Sequence, residues 1–463
     1  MNQVIDADYL VVGAGAMGMG FVDALIDHAP DVRVALVDRR YGVGGHWLDA
    51  YPFVRLHQAS SFYGVASTVL AAGRTQATGP EAGLPERADQ PKICAYYADV
   101  LTDRMLGSGR VEHFPGSDYL GDRTVLSRIS GVRHEVSDAC RIVDARYLSP
   151  DIPANTPPRF AVHDGARVVP VNDVVRLHEA PSEYVVVGSG KTATDSIVWL
   201  LGRGVDPDAI VWVRPRDPWM LNRAVIQPDP ATYLGMFASL LEAASTTRSL
   251  PDLFTSLEEQ GTMLRLDPAV TPSMAKAPTL GRWELDLLRS IQRVVRLGRI
   301  RSVRPGRLEL EEGSVAIADD AVVVNCAADG LKNPPRVPIW QPDVITLQPV
   351  RAGFPCFGAA LTGYVEATRT DDAEKNRLCA PSSYGNSLTE WAAMNVLGIR
   401  NGAALTSEDD VKEFSHRVAL NPARVPPGAS SAELDAVLER VQRNVGPGAA
   451  RLVELAGGPT PLG

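Results

Sequence analysis

Two stretches of the chain share one pattern: consecutive apolar residues, a glycine-rich turn, then apolar residues spaced three and four apart. In the first, Asp8–Val12 reads as a buried strand, Ala16–Asp27 as a helix and Val32–Val37 as a second β-rich run. In the second, Tyr184–Val187 is the strand, Thr192–Leu201 the helix and Ile210–Val213 the next strand. Between them the pattern predicts a helix over Pro91–Leu106 and strands around Val111–Phe114 and Arg141–Tyr147. A proline-rich surface crossing follows, from Pro153 to Pro158. Beyond Arg223 the spacing predicts helices over Ala231–Ala244 and Arg282–Leu297, with a less regular Pro251–Pro278 between them. Strands follow at Arg307–Leu310 and Ala321–Cys326. A charged, loop-like Arg369–Arg377 precedes a helix from Leu388. The last helix, about Ser431–Gln442, suits either covering an apolar face or pairing two copies into a homodimer.

Two strand–turn–helix–strand openings imply two mononucleotide-binding units. The expected fold is α/β: two Rossmann-like dinucleotide-binding domains plus a helical C-terminal segment. Residues 1–180 would form the first part of one domain, 181–335 the inserted second, 336–400 the closing part and 401–463 the extension. The 463 residues are 45% hydrophobic and 22% charged, ordinary for a globular protein, and the net charge of −9 offers no field that would gather nucleic acid or anionic lipid. No run of eighteen apolar residues exists and no signal segment is seen, so an unanchored, cytoplasmic protein is expected. The five cysteines form no close pair and the eight histidines no ligand cluster, so neither a dithiol centre nor a metal site is expected.

The turns carry the chemistry. Gly13, Gly15 and Gly18 give GxGxxG between strand and helix: one glycine for the turn, one for backbone approach to a pyrophosphate, one for helix–strand packing. The free N–H groups and the helix dipole then face the diphosphate. Asp38, followed by Arg39, ends the second strand, where a carboxylate can take the hydroxyls of an adenosine ribose. In the second turn Gly188, Gly190 and Ala193 occupy the same places, with Lys191 and Thr192 inside it. Its second strand ends not in an acid but in Arg214 and Arg216, which either grip a 2′-phosphate, favouring NADPH over NADH, or solvate the domain edge. Lys191 either lies near the diphosphate or points to solvent. Arg223 either faces the nicotinamide phosphates or anchors an interdomain contact.

Together with Gly44-Gly45-His46-Trp47 and the YPFVRLHQAS segment that follows, these turns resemble the flavin-dependent monooxygenases, in both their Baeyer–Villiger and their N- or S-oxygenating branches. The resemblance implies FAD on the first glycine turn and NADPH on the second. It also implies O2 activation as a C4a-(hydro)peroxyflavin and oxygenation of a small organic substrate. Gly45, His46 and Trp47 would border the flavin side, with Arg55, His57, Gln58 and Ser61 around the isoalloxazine or pyrophosphate. His57 is either a proton-transfer group near neutral pH or a structural hydrogen-bond donor. Asn172 either touches NADPH or substrate or caps a turn. Val322–Gly330 looks like a variant of the family's strand–ATG element, with Ala327-Ala328-Asp329 in place of Ala-Thr-Gly. The family's FxGxxxH-type element is replaced by Phe160–Gly165, with His163 at a different spacing, which leaves plain hydride transfer without oxygen insertion as the alternative.

Overall fold

The apolar run Tyr9–Val12 lies in the middle of a five-stranded parallel sheet in a computed structural model that describes residues 4–327, 334–382 and 384–458. The sheet order is Val344–Thr346, Arg141–Asp144, Tyr9–Val12, Val34–Val37, Val111–Phe114. All four residues of Val34–Val37 are buried, as expected of a strand covered on both faces. Val12 pairs with both Val37 and Asp144, so Gly13, Asp38 and Ala145 leave the sheet at one edge.

A second parallel sheet is ordered Arg167–Pro170, Val322–Asn325, Tyr184–Val187, Ile210–Val213, Val294–Val295. Val187 pairs with Val213 and Asn325, which brings Gly188, Arg214 and Cys326 to a common edge. The sheet draws Arg167–Pro170 from upstream of residue 181. The second unit thus begins before the boundary expected from the glycine turn alone.

The α/β class with a helical C-terminal region is as expected, and the closing segment returns to the first unit as a helix. Pro355–Thr368 packs along Ala16–His28 at a separation only small residues allow. A Cβ on Gly363 would sit 2.4 Å from the Phe21 carbonyl oxygen. The two units meet through packed side chains, Phe53 stacking on Trp199 with ring centroids 4.7 Å apart.

Several elements differ from expectation. The Arg282–Leu297 helix stops at Leu288, because Val294–Val295 pairs with Trp212–Val213 as an edge strand. Pro251–Pro278 is regular: a helix at Leu250–Glu259 leads into strands Met263–Arg265 and Met274–Leu280, which flank Pro218–Asn222. Part of the charged Arg369–Arg377 stretch is helical from Asp372. The last helix runs from Ala432 to Leu455, twice the expected length, and passes through Pro447.

Candidate active site

In the first glycine turn the backbone geometry explains the residue choice. Gly13 has φ +113°, and a Cβ on Gly18 would lie 1.9 Å from the Gly13 carbonyl oxygen, so any larger residue forces turn and helix apart. Asp38 braces the turn, its two oxygens accepting the Ala14 and Arg40 N–H groups at 2.7 Å each. The Gly44–Gly45 turn presses on this one. Gly44 N–H donates to the Ala14 carbonyl at 2.8 Å, and a Cβ on Gly45 would sit 2.9 Å from Gly15 Cα. Two bare backbones thus form a cradle that a single methyl group would fill.

Around this cradle, Trp47 is buried and its indole donates to the Tyr63 hydroxyl at 2.6 Å. Arg39, Arg40, His46 and Asp49 line a cavity of about 490 Å³ beside it, together with Arg128 and the 150–156 crossing. Burial, aided by Arg40, pulls the His46 imidazole down to about 4, against the opposing pull of Asp49. Ser61 Oγ is buried without a hydrogen-bond partner among the described residues, and Gln58 donates to the Gly353 carbonyl at 3.3 Å. Arg55, by contrast, is exposed and makes no ion pair among the described residues.

The second turn is more open. A Cβ on Gly190 would meet nothing within 4 Å, and Gly188, at φ +124°, is held by Trp212 Nε1 donating to its carbonyl at 2.7 Å. Ala193 is buried under the turn and Thr192 follows Lys191 at the helix start. Neither alternative for Lys191 describes its contacts in full. Its ammonium pairs with Asp195, one helical turn on, and Asp195 also accepts the Tyr51 hydroxyl at 2.7 Å. Tyr51 follows the Gly44–Trp47 segment, so this contact joins the two glycine-turn regions.

The two arginines after Val213 part company. Arg214 is 2% exposed, its guanidinium stacked over Trp212 at 4.4 Å and paired with Asp217 at 2.9 Å. Burial first, and then the nearby Arg296, lowers its pKa to about 10 despite Asp217 and Asp267. Arg216 is exposed and makes no ion pair among the described residues. Of the two, only Arg216 stands in solvent.

His57 lies where the units meet. Its Nδ1 accepts the Thr279 N–H at 3.3 Å, and its carbonyl accepts Arg223 Nε at 2.9 Å and the Thr279 hydroxyl. Burial, with Lys191, Arg223 and Arg87 adding to it, lowers its pKa to about 3. With Nδ1 accepting a backbone N–H, the neutral ring carries its proton on Nε2, and burial disfavours the charged form. Asn172 donates to the Asp49 carbonyl at 2.9 Å and so ties the second unit to the His46 turn. Ala327 is exposed, its N–H bonded to Asn325 Oδ1 at 3.1 Å, while Ala328, Asp329 and Gly330 lie outside the described residues. His163 is exposed. Tyr51, Asp195, Thr279, Glu81 and Glu284 were not singled out in the sequence, because the contacts that matter here, Tyr51 to Asp195, Thr279 to His57 and both glutamates to Arg223, span 61 residues or more.

No family model matches the chain. It is 38% identical over 460 residues to uncharacterized protein Rv2000 of Mycobacterium tuberculosis, covering 98% of this chain and 85% of the relative, and equally so to Mb2023 of Mycobacterium bovis. The chain belongs to one family with these mycobacterial proteins. Among solved structures, an open form of cyclohexanone monooxygenase matches with a TM-score of 0.52 at 16% identity, over 87% of this chain and 98% of that one. That likeness shows a shared fold. A putative FAD-containing monooxygenase of Mycobacterium tuberculosis, MymA, is 28% identical over 230 residues, 47% of this chain and 43% of that protein. Among the described residues no helix is long and apolar enough to cross a membrane.

Proposed function

We propose that the protein is an NADPH-dependent FAD monooxygenase that oxygenates a small organic substrate with O2. The observation that carries this reading is the pair of glycine turns, each opening a helix beside a parallel sheet, joined across the unit boundary by Tyr51 and Asp195. The first turn suits FAD: the Gly15–Gly45 cradle, the adjoining cavity and the unpartnered Ser61 hydroxyl are features a large polar cofactor would satisfy. The open second turn, with Arg216 exposed near its strand end, suits NADPH. When bound, the flavin supplies the redox and oxygen-activating chemistry.

The chain's own work is to bind, orient and exclude water. Backbone N–H groups at the two helix starts would hold the diphosphates, and Asp38 keeps the first turn in shape. Trp47 and Tyr63 form a buried wall behind the His46 turn. His57 offers an Nε2–H that stays protonated, and neutral, across physiological pH, suited to hold a developing negative oxygen by hydrogen bonding rather than by donating a proton from an imidazolium.

The test is anaerobic reduction of the flavin-loaded protein by NADPH, followed by 18O2 with a panel of small cyclic ketones, sulfides and amines. Label in the product is expected. Flavin reduction without label in any product would move the function to hydride transfer alone.

A further inference from the structure

Residues 71–87 form a hairpin in the first unit that no sequence pattern announced. Its arms are joined by Gln76 N–H to the Leu84 carbonyl at 2.8 Å and Glu86 N–H to the Arg74 carbonyl at 2.9 Å. Between 72 and 84 a single residue is buried, Glu81, which is 6% exposed at the tip. Its carboxylate enters the second unit, where it pairs with Arg223 and accepts the Trp283 indole at 3.1 Å. On its other oxygen it holds Arg87 at 2.8 Å and Gln76 at 3.2 Å.

Arg223 completes the arrangement. Its second Nη meets Glu284 at 2.6 Å, and Glu284 also accepts Gly281 N–H at 2.7 Å and lies 3.7 Å from Arg87. Two guanidinium groups and two carboxylates are thus buried together with balanced charge. A Cβ on Gly281 would fall 2.7 Å from the Arg223 guanidinium and 3.0 Å from Glu81, so the glycine makes room for the pair. Burial raises the Glu81 pKa, but Arg223 and Arg87 outweigh it and hold the group at about 2. The third nitrogen of the same guanidinium, Nε, donates to the His57 carbonyl.

Resting on the proposed reaction, we propose that Glu81 is a positioning residue: a latch carried by the first unit that locks onto Arg223 of the second and thereby fixes His57 and the facing of the two nucleotide turns. Neutralising it leaves Arg87 and Arg223 sharing Glu284 alone, an uncompensated buried charge that the hairpin relieves by leaving the second unit. Each nucleotide would still find its own turn. What suffers is the alignment between them, on which hydride transfer depends steeply.

The experiment uses the flavin-loaded full chain and Glu81→Gln. Tryptic cleavage after Arg87, whose side chain is enclosed by the latch, should quicken at least tenfold. FAD and NADPH titrations should stay within twofold of the parent. Flavin reduction at saturating NADPH should slow at least tenfold, a loss in rate without a loss in binding. Trp283→Phe removes the indole donor, keeps an aromatic ring and leaves both glutamates in place; it should shift cleavage and reduction in the same directions, about threefold each, and it carries the test where Glu81→Gln does not fold. Cleavage and reduction at parental rates in a folded variant overturn the latch. If the parent protein's flavin is not reduced by NADPH at all, the proposed reaction fails, and the cleavage arm alone decides the latch.

Discussion

At the residue scale, burial separates groups that look alike in the sequence. Arg214 and Arg216 are two positions apart, yet one is stacked on Trp212 and paired with Asp217 while the other is exposed. Arg216→Ala should weaken NADPH binding by about 1.5 kcal/mol, roughly tenfold, and leave NADH nearly unchanged in direct titrations. Arg214→Ala should instead cost about 1–2 kcal/mol of stability in denaturant unfolding, since it removes the stack on Trp212 and one of two arginine partners of Asp217 while Arg296 stays at 3.0 Å, with no preference between the nucleotides. A selective loss of NADPH in Arg214→Ala would return the 2′-phosphate to that side chain. His57 gives a pH signature of its own. Its folded pKa of about 3 lies below the unfolded value near 6.5, so as pH falls below 6.5 the unfolded chain binds a proton that the folded one refuses. The resulting destabilisation starts near pH 6.5, reaches about 2 kcal/mol at pH 5 and levels off below about pH 3. His57→Gln should remove that part of the slope between pH 7 and 5, whatever its effect on absolute stability, and an unchanged slope would mean the ring is not held neutral.

At the element scale, the parts that could be read from the sequence are those whose cause is local. Tyr9–Val12 and Tyr184–Val187 are continuous apolar runs, and the glycines after them answer to the backbone of their own turn, as Gly18 does to the Gly13 carbonyl. Val294–Val295 followed a helical pattern in Arg282–Leu288 and was hidden by it, since only the neighbouring Ile210–Val213 strand makes two valines into an edge strand. The Gly45–Gly15 contact joins two turns thirty residues apart, and nothing at either turn names the other. The same holds for the site. Asp38 was recognisable by its place at a strand end. Asp195 was not, because Tyr51 lies 144 residues away, and Arg223 is enclosed by Glu81 and Glu284, which stand 142 and 61 residues from it.

At the scale of the whole molecule, the C-terminal helices are shared out: Asp409–Arg417 packs on the first unit, Phe414 stacking on Tyr364 at 4.3 Å, while two others cover the second. Ala432–Leu455 lies along Pro230–Thr246, with Arg440 gripping Glu242 through two bonds of 2.9 and 2.7 Å and Arg451 donating to the Thr247 carbonyl at 3.1 Å. Leu388–Leu405 adds Trp391, which packs on Phe254 beside Trp219. The helix pair is close because Gly448 has no side chain: a Cβ there would stand 2.6 Å from the Leu241 carbonyl oxygen. Gly448→Val must therefore push the two helices apart. Overpacking of this kind costs about 1–3 kcal/mol, and the loss should appear as a lowered midpoint in thermal unfolding followed by circular dichroism. Gly448 belongs to the helical layer of the second unit, whereas the Gly13–Gly18 turn belongs to the first. Flavin retained per chain after gel filtration at 25 °C should accordingly match the parent protein, even where the midpoint falls. Flavin lost in step with the midpoint would mean that the layer supports the first unit as well, and that the two units unfold as one. An unchanged midpoint would mean that the helices already stand far enough apart to admit the new side chain.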